Sequence, residues 1–256
     1  MISPNPVVLT VAGYDPSGGA GIIIDVRTIV EFGCRPAAAI TSLTFQNSAG
    51  VFGATHEPAS SLRAQIVPVT EEHEIAAVKI GMIPTAELIF EIAAMVHNKR
   101  LPSPIVDPVL RSSSGYQLID EDAIEVLRTE LFPLARLITP NIPEAERLTG
   151  MQISDEHTMR EAARRLRELG ALAVLIKGGH LEHRSAERQA IDLLDDEGEI
   201  TVFRGEWIDA PPVRGTGCML SSAIAASLAN GADFVESVEA AKKYVTAEIR
   251  NSKFQN

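Results

Sequence analysis

Short apolar runs and longer amphipathic segments alternate along the whole chain. Six apolar runs predict buried strands, at residues 7–11, 38–43, 75–80, 104–106, 137–138 and 174–176. Apolar residues at helical spacing predict helices over 22–32, around 88–96 and over 159–169, and a glycine directly follows the first and the last of these. This alternation of strands and helices indicates an α/β fold with a mostly parallel central sheet covered by helices.

Glycine, amide and charged residues follow five of the predicted strands at short distance. They are Gly13, Gln46, Asp107, Asn141 and Lys177. The carboxyl ends of parallel strands share one edge of a sheet, and ligands bind at that edge. We therefore expect these residues to face a common ligand-binding rim.

Composition indicates one globular domain and argues against two classes of partner. The 256 residues show no internal repeat, low-complexity tract or linker, so a single domain over 1–256 is expected. A net charge of −11 argues against nucleic acid or an anionic membrane as partner, since both need a basic surface. No apolar run approaches membrane-spanning length and no signal segment is recognisable. With two cysteines only, the chain is expected to lack a disulfide framework and to be cytoplasmic.

The turn Gly215-Thr216-Gly217 leads into a run of small residues that predicts a helix, and Cys218 stands at its start. Backbone N–H groups at a helix N-terminus attract anions, so this turn predicts a cradle for a phosphate in transfer. A thiol at that position is expected to lose its proton easily, because the helix dipole and neighbouring donors favour the thiolate. Cys218 is therefore a candidate base or nucleophile.

A glycine-rich loop over residues 12–21 joins the first strand to the first helix. It lacks the lysine of a P-loop and the third glycine of a dinucleotide fingerprint, so it indicates either close backbone approach to a ligand or an ordinary turn. Asp25 follows in an apolar helix and needs a partner, for which a ligand hydroxyl or amine is a candidate. Gln46 offers a donor and an acceptor suited to the edge of a heteroaromatic ring, although amides that cap turns are commoner.

Two further segments carry groups suited to phosphate and metal. Asn141 and Glu144 have the spacing of a helix capping box, and the same oxygens suit the orientation of hydrated Mg²⁺ beside phosphates. Lys177 ends a strand and is followed by two glycines, which suits contact with a nucleotide phosphate. His180 comes next, and nothing in the sequence gives it a catalytic role.

The ordered set of these segments resembles the ribokinase-like superfamily and, more closely, the hydroxymethylpyrimidine/phosphomethylpyrimidine kinase family of thiamine biosynthesis. The resemblance extends over nearly the whole chain and rests on residues 12–25, 46–51, 79–82, 107–110, 139–144, 177–180 and 215–218. It implies a three-layer α/β/α sandwich. It also implies ATP-dependent phosphorylation of a hydroxymethyl group on an aminopyrimidine and then of the resulting monophosphate, by a homodimer.

The resemblance further implies a role for each matching residue. The residues expected to line the pyrimidine pocket are Gly13, Asp25, Gln46 and Val109. The expected anion hole for the moving phosphoryl group consists of Gly215, Thr216 and Gly217. The residues expected at ATP and Mg²⁺ are Asn141, Lys177, Glu144 and Asp107, the last two reaching the metal through water. Cys218 is expected to accept the proton of the substrate hydroxyl.

Two positions depart from the family pattern, in which histidine commonly precedes Gly-Thr-Gly and threonine follows the cysteine. This chain has Arg214 and Met219 there. Arg214 adds a permanent charge near the expected phosphate site, and we hypothesise that it favours the monophosphate over the free alcohol. Two other functions stay open: a pyridoxal kinase of the same architecture, and a non-catalytic sensor of a vitamin precursor.

Overall fold

The strands of the computed structural model, which describes residues 5–179, 189–208 and 213–252, form one sheet. Within those ranges the strands are β1 (Val7–Tyr14), β2 (Arg35–Asn47), β3 (Gly50–His56), β4 (Ile75–Ile80), β5 (Ile105–Val106), β6 (Leu137–Ile138), β7 (Ala173–Gly178), β8 (Gln189–Asp196) and β9 (Glu199–Glu206). Their order across the sheet is β3-β2-β1-β4-β5-β6-β7-β8-β9. The six central strands β2, β1, β4, β5, β6 and β7 are parallel, whereas β3, β8 and β9 pair antiparallel at the two edges.

Helices cover both faces of this sheet. They are α1 (Gly21–Glu31), α2 (Ala59–Glu72), α3 (Ala86–His97), α4 (Glu121–Val126), α5 (Ile142–Thr149), α6 (Glu156–Glu168), α7 (Thr216–Ala229) and α8 (Phe234–Ser252). A π-helical turn at Leu127–Leu131 and a 3₁₀ turn at Phe132–Leu134 continue α4. Among the described residues, no helix is both long and apolar enough to cross a membrane.

The two faces of the sheet carry separate hydrophobic clusters. On β1, Val7, Leu9 and Val11 pack into the cluster shared with α2 to α6, while Val8 packs into the cluster shared with α1, α7 and α8. Successive side chains of a strand point to opposite faces, so one apolar strand supplies both clusters. The predicted three-layer α/β/α sandwich with a mostly parallel sheet is confirmed.

The predicted elements differ from the observed ones mainly at the edges of the sheet. All six predicted strands are present, and the first predicted helix corresponds to α1, whose end is followed by Gly33 at φ 75°. Strand β2 continues beyond its apolar run to Asn47, so Gln46 lies inside this strand and not after it. The antiparallel strands β3, β8 and β9 were not predicted, since none of them is a continuous apolar run.

Candidate active site

The N-termini of α1 and α7 meet at the carboxyl edge of the sheet through backbone contacts that only glycine allows. A Cβ at Gly21 would overlap the carbonyl oxygen of Gly13, and one at Gly215 would lie 2.5 Å from the carbonyl oxygen of Gly19. Gly21 and Gly215 also have positive φ values, of 59° and 76°. The glycine-rich loop was expected to allow either a close approach of a ligand to the backbone or an ordinary turn. At these positions the groups that come close are backbone atoms of the chain itself.

Cys218 lies in the first turn of α7, beside the start of α1. Gly215 is the N-cap of α7, no side chain caps this end, and the nearby Gly21 N–H favours the thiolate form of Cys218. Burial raises the pKa of the Cys218 thiol to about 11; the positive charge of Lys79 opposes this shift, while Asp25 and Asp107 add to it. The expectation that this thiol loses its proton easily is therefore wrong for the ligand-free protein, because burial and two carboxylates outweigh the donors.

Asp107 and Lys177 form an ion pair directly beside the turn of α7. The Nζ atom of Lys177 donates to Oδ1 of Asp107 at 2.6 Å, and the Thr139 hydroxyl donates to the same oxygen at 3.2 Å. The position that a Cβ would take at Gly217 is 3.3 Å from Lys177 Nζ and 3.4 Å from Asp107 Oδ2. Glycine at position 217 thus keeps the ion pair open to the space in front of the helix N-terminus.

Asn141 and Glu144 form the capping box of α5. The Asn141 N–H donates to Oε2 of Glu144 at 2.8 Å, and the Glu144 N–H donates to Oδ1 of Asn141 at 2.9 Å. The Glu144 side chain also interacts electrostatically with charged neighbours: burial raises its pKa to about 7, Lys177 opposes this shift, and Asp107 adds to it. The prediction of a capping box is confirmed, and Glu144 lies within electrostatic range of the Lys177–Asp107 pair.

A buried ion pair between Lys79 and Asp25 lies beneath the two helix N-termini. Both side chains are fully buried, and Lys79 Nζ donates to the two oxygens of Asp25 at 2.9 and 2.8 Å. The hydroxyls of Thr10 and Ser222 donate to the same carboxylate at 2.6 and 2.8 Å. The structure therefore corrects the expectation that Asp25 lines the pyrimidine pocket and takes a ligand group as partner: it is inaccessible, and its partners belong to the protein.

Gln46 lies on the other side of the same turn, in contact with Arg214. Its Oε1 accepts a hydrogen bond from Arg214 at 2.7 Å, and its Nε2 donates to the Thr44 hydroxyl at 2.7 Å. Gln46 is partly buried, so the amide is within reach of a ligand. Since Arg214 directly precedes Gly215, one turn of chain connects the Gln46 amide with the N-terminus of α7.

A cavity of about 260 Å³ lies between β3 and the segment 116–120, with Met82 in its wall. The Met82 sulfur lies 2.9 Å from the position that a Cβ would take at Gly13, so the space beside Gly13 is filled by this thioether.

Val109 is partly exposed, and its N–H donates to the Asp107 carbonyl at 2.9 Å. Neither Gln46 nor Val109 lines the cavity. Of the four residues expected around the ring, Gly13 and Asp25 are therefore buried in protein contacts, while Gln46 and Val109 keep exposed surface.

The comparison with known families shows which family this chain belongs to. A family model described as phosphomethylpyrimidine kinase matches residues 15–256. The chain belongs to this family. Members of the phosphomethylpyrimidine kinase family are phosphotransferases, and the match includes all the residues named in this subsection except Thr10 and Gly13.

Individual relatives agree with the family match. The thiamine biosynthesis bifunctional protein ThiED of Geobacter sulfurreducens is 46% identical over 247 residues, which are 96% of this chain and 50% of that protein. The chain thus spans about half the length of this relative. The crystal structure of phosphomethylpyrimidine kinase from Clostridium difficile 630 has a TM-score of 0.83 at 38% identity and covers 96% of this chain and 100% of that one.

A second solved structure is similar to the same degree and has a different name. The ADP complex of Bacillus subtilis pyridoxal kinase has a TM-score of 0.85 at 35% identity and covers 95% of this chain and 91% of that one. The predicted ribokinase-like fold is confirmed by both structures. Because a phosphomethylpyrimidine kinase and a pyridoxal kinase share this fold, the fold alone does not distinguish a pyrimidine substrate from a pyridine substrate.

Sequence reasoning missed the roles of three charged residues in this family member. Lys79 lies in the apolar run 75–80, and Asp25 lies in an apolar helix. A buried charge needs a partner of opposite charge, so each of these residues predicts the presence of the other. Asp15, which is 1% exposed and paired with Arg214 at 2.9 Å, left no such signal because a loop aspartate is usually solvated. His180, for which the sequence assigned no role, lies outside the described residues.

Proposed function

We propose that this chain transfers the terminal phosphoryl group of ATP to 4-amino-5-hydroxymethyl-2-methylpyrimidine, and then a second one to the monophosphate, as a step in thiamine biosynthesis. The observation that carries this proposal is the arrangement around one turn. The uncapped N-terminus of α7 faces the Lys177–Asp107 pair on one side, and the Gln46 amide lies on the other. Membership in the phosphomethylpyrimidine kinase family supports the substrate class.

Phosphate binding is assigned to the backbone of α7 and to Lys177. The N–H groups of Thr216, Gly217 and Cys218 belong to the first turn of a helix, where they have no carbonyl acceptor four residues earlier within the helix. Lys177 adds a full positive charge next to Gly217, and attraction to Asp107 and Glu144 raises its pKa although burial opposes this, so it stays protonated. Phosphoryl transfer depends mainly on positioning and on neutralising charge, and these groups supply both.

The carboxylates of Asp107 and Glu144 suit a magnesium ion held together with the phosphates of ATP. Among the described residues, no group of three or more His, Cys, Asp or Glu side chains is arranged to hold a metal by itself. Mg²⁺ commonly keeps several waters and binds through one or two carboxylates plus substrate phosphates, which fits this donor set. When bound, the ion would neutralise charge on the phosphates; Asp107 and Glu144 would hold its water ligands.

Cys218 is proposed as the group that accepts the proton of the substrate hydroxyl, and the structure sets a condition on that role. With its pKa raised to about 11, the thiol is neutral in the free protein at physiological pH. For Cys218 to act as the base, substrate binding must therefore lower the pKa of its thiol. The ammonium groups of Lys79 and Lys177 and the Gly21 N–H favour the thiolate. Lys79 is fixed in place by its buried pair with Asp25.

Pyridoxal phosphorylation is the second candidate function, and the similarity to Bacillus subtilis pyridoxal kinase favours it. Both candidate substrates carry a hydroxymethyl group on a heteroaromatic ring. The Gln46 amide, with both a donor and an acceptor, fits an aminopyrimidine edge better than a pyridine that lacks an amino group. A homodimer, a single domain over 1–256 and a cytoplasmic location stay predictions from the sequence.

Release of ADP, measured with the pyrimidine alcohol, its monophosphate and pyridoxal as acceptors, tests the proposal. We expect turnover with the two pyrimidines and a higher kcat/KM for them than for pyridoxal. Replacing Cys218 by alanine is expected to reduce the rate by roughly 10² or more, the range for loss of a general base. A preference for pyridoxal would favour the second candidate. Binding of the pyrimidine without any ADP release would indicate a sensor.

A further inference from the structure

Arg214 connects its own turn to two other segments of the chain at the mouth of the site. Its Nη2 donates to Oδ2 of Asp15 at 2.9 Å and to Oε1 of Gln46 at 2.7 Å, and its Nη1 donates to the Ser17 hydroxyl at 3.1 Å. Asp15 is almost fully buried, whereas the Arg214 side chain keeps 26% of its surface exposed. The guanidinium therefore bridges the loop before α1, the strand β2 and the turn before α7.

The contacts of Gln46 determine which way its amide faces. Arginine can only donate, so the atom facing Arg214 must be the amide oxygen. On the other side, the Thr44 hydroxyl donates its hydrogen to the carbonyl of Tyr14 at 2.8 Å and must accept one from Gln46. Both neighbours require the same orientation of the Gln46 amide, because one can only donate to it and the other must accept from it. The described contacts leave one amide N–H and one lone pair of Oε1 for a ligand.

We propose that Arg214 is a positioning residue for ring specificity, which locks the Gln46 amide so that it presents one donor and one acceptor to an aminopyrimidine edge. This inference rests on the proposed function. An aminopyrimidine has an amino donor beside a ring-nitrogen acceptor, which is complementary to the two groups that Gln46 leaves open. The ring of pyridoxal has no amino group beside its ring nitrogen, so it cannot offer Gln46 the same adjacent donor and acceptor.

This role differs from the direct contact with substrate phosphate that the charge of Arg214 suggests. The guanidinium is held by a buried carboxylate and by two neutral groups. Moving it toward a phosphate would leave the buried Asp15 carboxylate without its counter-ion, with only the hydrogen bonds from Ser17. Nη2 donates to both Asp15 and Gln46 while Nη1 donates to Ser17, and the planar guanidinium fixes the directions of these three bonds. The freely rotating ammonium of lysine does not fix them.

The test is a double-mutant cycle with Arg214→Lys, Gln46→Ala and the combined variant. Lysine retains a positive charge for Asp15, so this variant is expected to fold, and its thermal melting curve checks this. Arg250→Lys is the matched control, because Arg250 pairs with Glu206 on the exposed surface, where both side chains are more than half exposed. Calorimetry with the free pyrimidine alcohol and with pyridoxal measures binding, and ADP release measures KM and kcat.

We expect Arg214→Lys to weaken binding of the pyrimidine alcohol about five- to tenfold, the worth of one neutral hydrogen bond. Pyridoxal binding should change less than twofold, KM for the pyrimidine should rise, and kcat should stay nearly constant. In the Gln46→Ala background the same substitution should have almost no further effect, because the amide that it positions is gone. The Arg250→Lys variant should match the wild type.

Two results separate the failure of this inference from that of the proposed function. If the wild type binds and phosphorylates the pyrimidine but Arg214→Lys retains its selectivity, or if the two substitutions are additive, the inference about Arg214 is wrong and the kinase proposal stands. If the wild type neither binds nor phosphorylates the pyrimidine, the proposed function is wrong and this inference is overturned with it. Loss confined to the monophosphate would assign Arg214 to phosphate contact instead.

Discussion

Replacing Lys79 by methionine should destabilise the protein strongly, because it leaves a buried carboxylate without its counter-ion. The substitution removes the contacts of 2.9 and 2.8 Å to Asp25 and leaves only the hydroxyls of Thr10 and Ser222. Both charged side chains are fully buried, so water cannot take the place of the ammonium. Removing one partner of such a pair costs about 3–5 kcal/mol. In a chain of this size that corresponds to a melting temperature lower by roughly 10 °C.

Urea unfolding followed by circular dichroism measures this loss. Attraction to Asp25 raises the pKa of Lys79 although burial opposes it, so the contribution of the pair is fully present at neutral pH and is lost only as the pH rises above about 10.5. Arg250→Met is the matched control: it removes a cation from an exposed pair with Glu206 and should cost less than about 1 kcal/mol.

A second variant tests whether the loss of stability comes from the unpaired charge of Asp25. Adding Asp25→Asn to Lys79→Met removes the unpaired charge and keeps an acceptor oxygen for one of the two hydroxyls of Thr10 and Ser222, so the double variant should be more stable than Lys79→Met alone. A Lys79→Met protein within about 1 kcal/mol of the wild type, or a double variant that is no more stable than the single one, would refute the reasoning.

Three further predictions follow from the same site. The pKa of Glu144 is about 7 in the folded protein and 4.5 in the unfolded chain, so the native state binds more protons and its stability should fall as the pH rises from 4.5 to 7. Glu144→Gln should flatten that decline in urea titrations, and an unchanged pH dependence would contradict this prediction. Gly215→Ala should lower the melting temperature more than Gly33→Ala, since both positions have φ near 75° but only the first brings a Cβ to 2.5 Å from a carbonyl oxygen. Iodoacetamide should modify Cys218 slowly at pH 7 and faster above pH 9, as followed by peptide mass; rapid modification at pH 7 would show that the thiolate is already present.

The parallel core of the sheet was predictable because each of its strands is buried on both faces. Such strands appear in the sequence as short apolar runs between helices, and the rule that ligands bind at their carboxyl ends then brings Asp107 and Lys177 together across seventy residues of chain. The antiparallel strands gave weaker signals. Strand β3 is rich in glycine and exposes Phe52, and the hairpin of β8 and β9 turns at Glu197 and Gly198, both with positive φ.

The electrostatics of the site were less predictable, because they depend on contacts between distant segments. The local signal at Cys218, a helix N-terminus, favours the thiolate, while burial and the carboxylates of Asp25 and Asp107 favour the thiol. Likewise, the charge of Arg214 alone suggests phosphate binding. Only the folded chain shows that the guanidinium is engaged by Asp15 and Gln46.

Identification of the phosphorylated product tests the central claim most directly. The wild-type protein is incubated with ATP, Mg²⁺ and 4-amino-5-hydroxymethyl-2-methylpyrimidine, and the products are resolved by mass spectrometry and ³¹P NMR. We predict a monophosphate ester on the hydroxymethyl oxygen, followed by the pyrophosphate, in step with ADP. ADP formation without any phosphorylated pyrimidine, or phosphorylation of pyridoxal alone, would contradict the account.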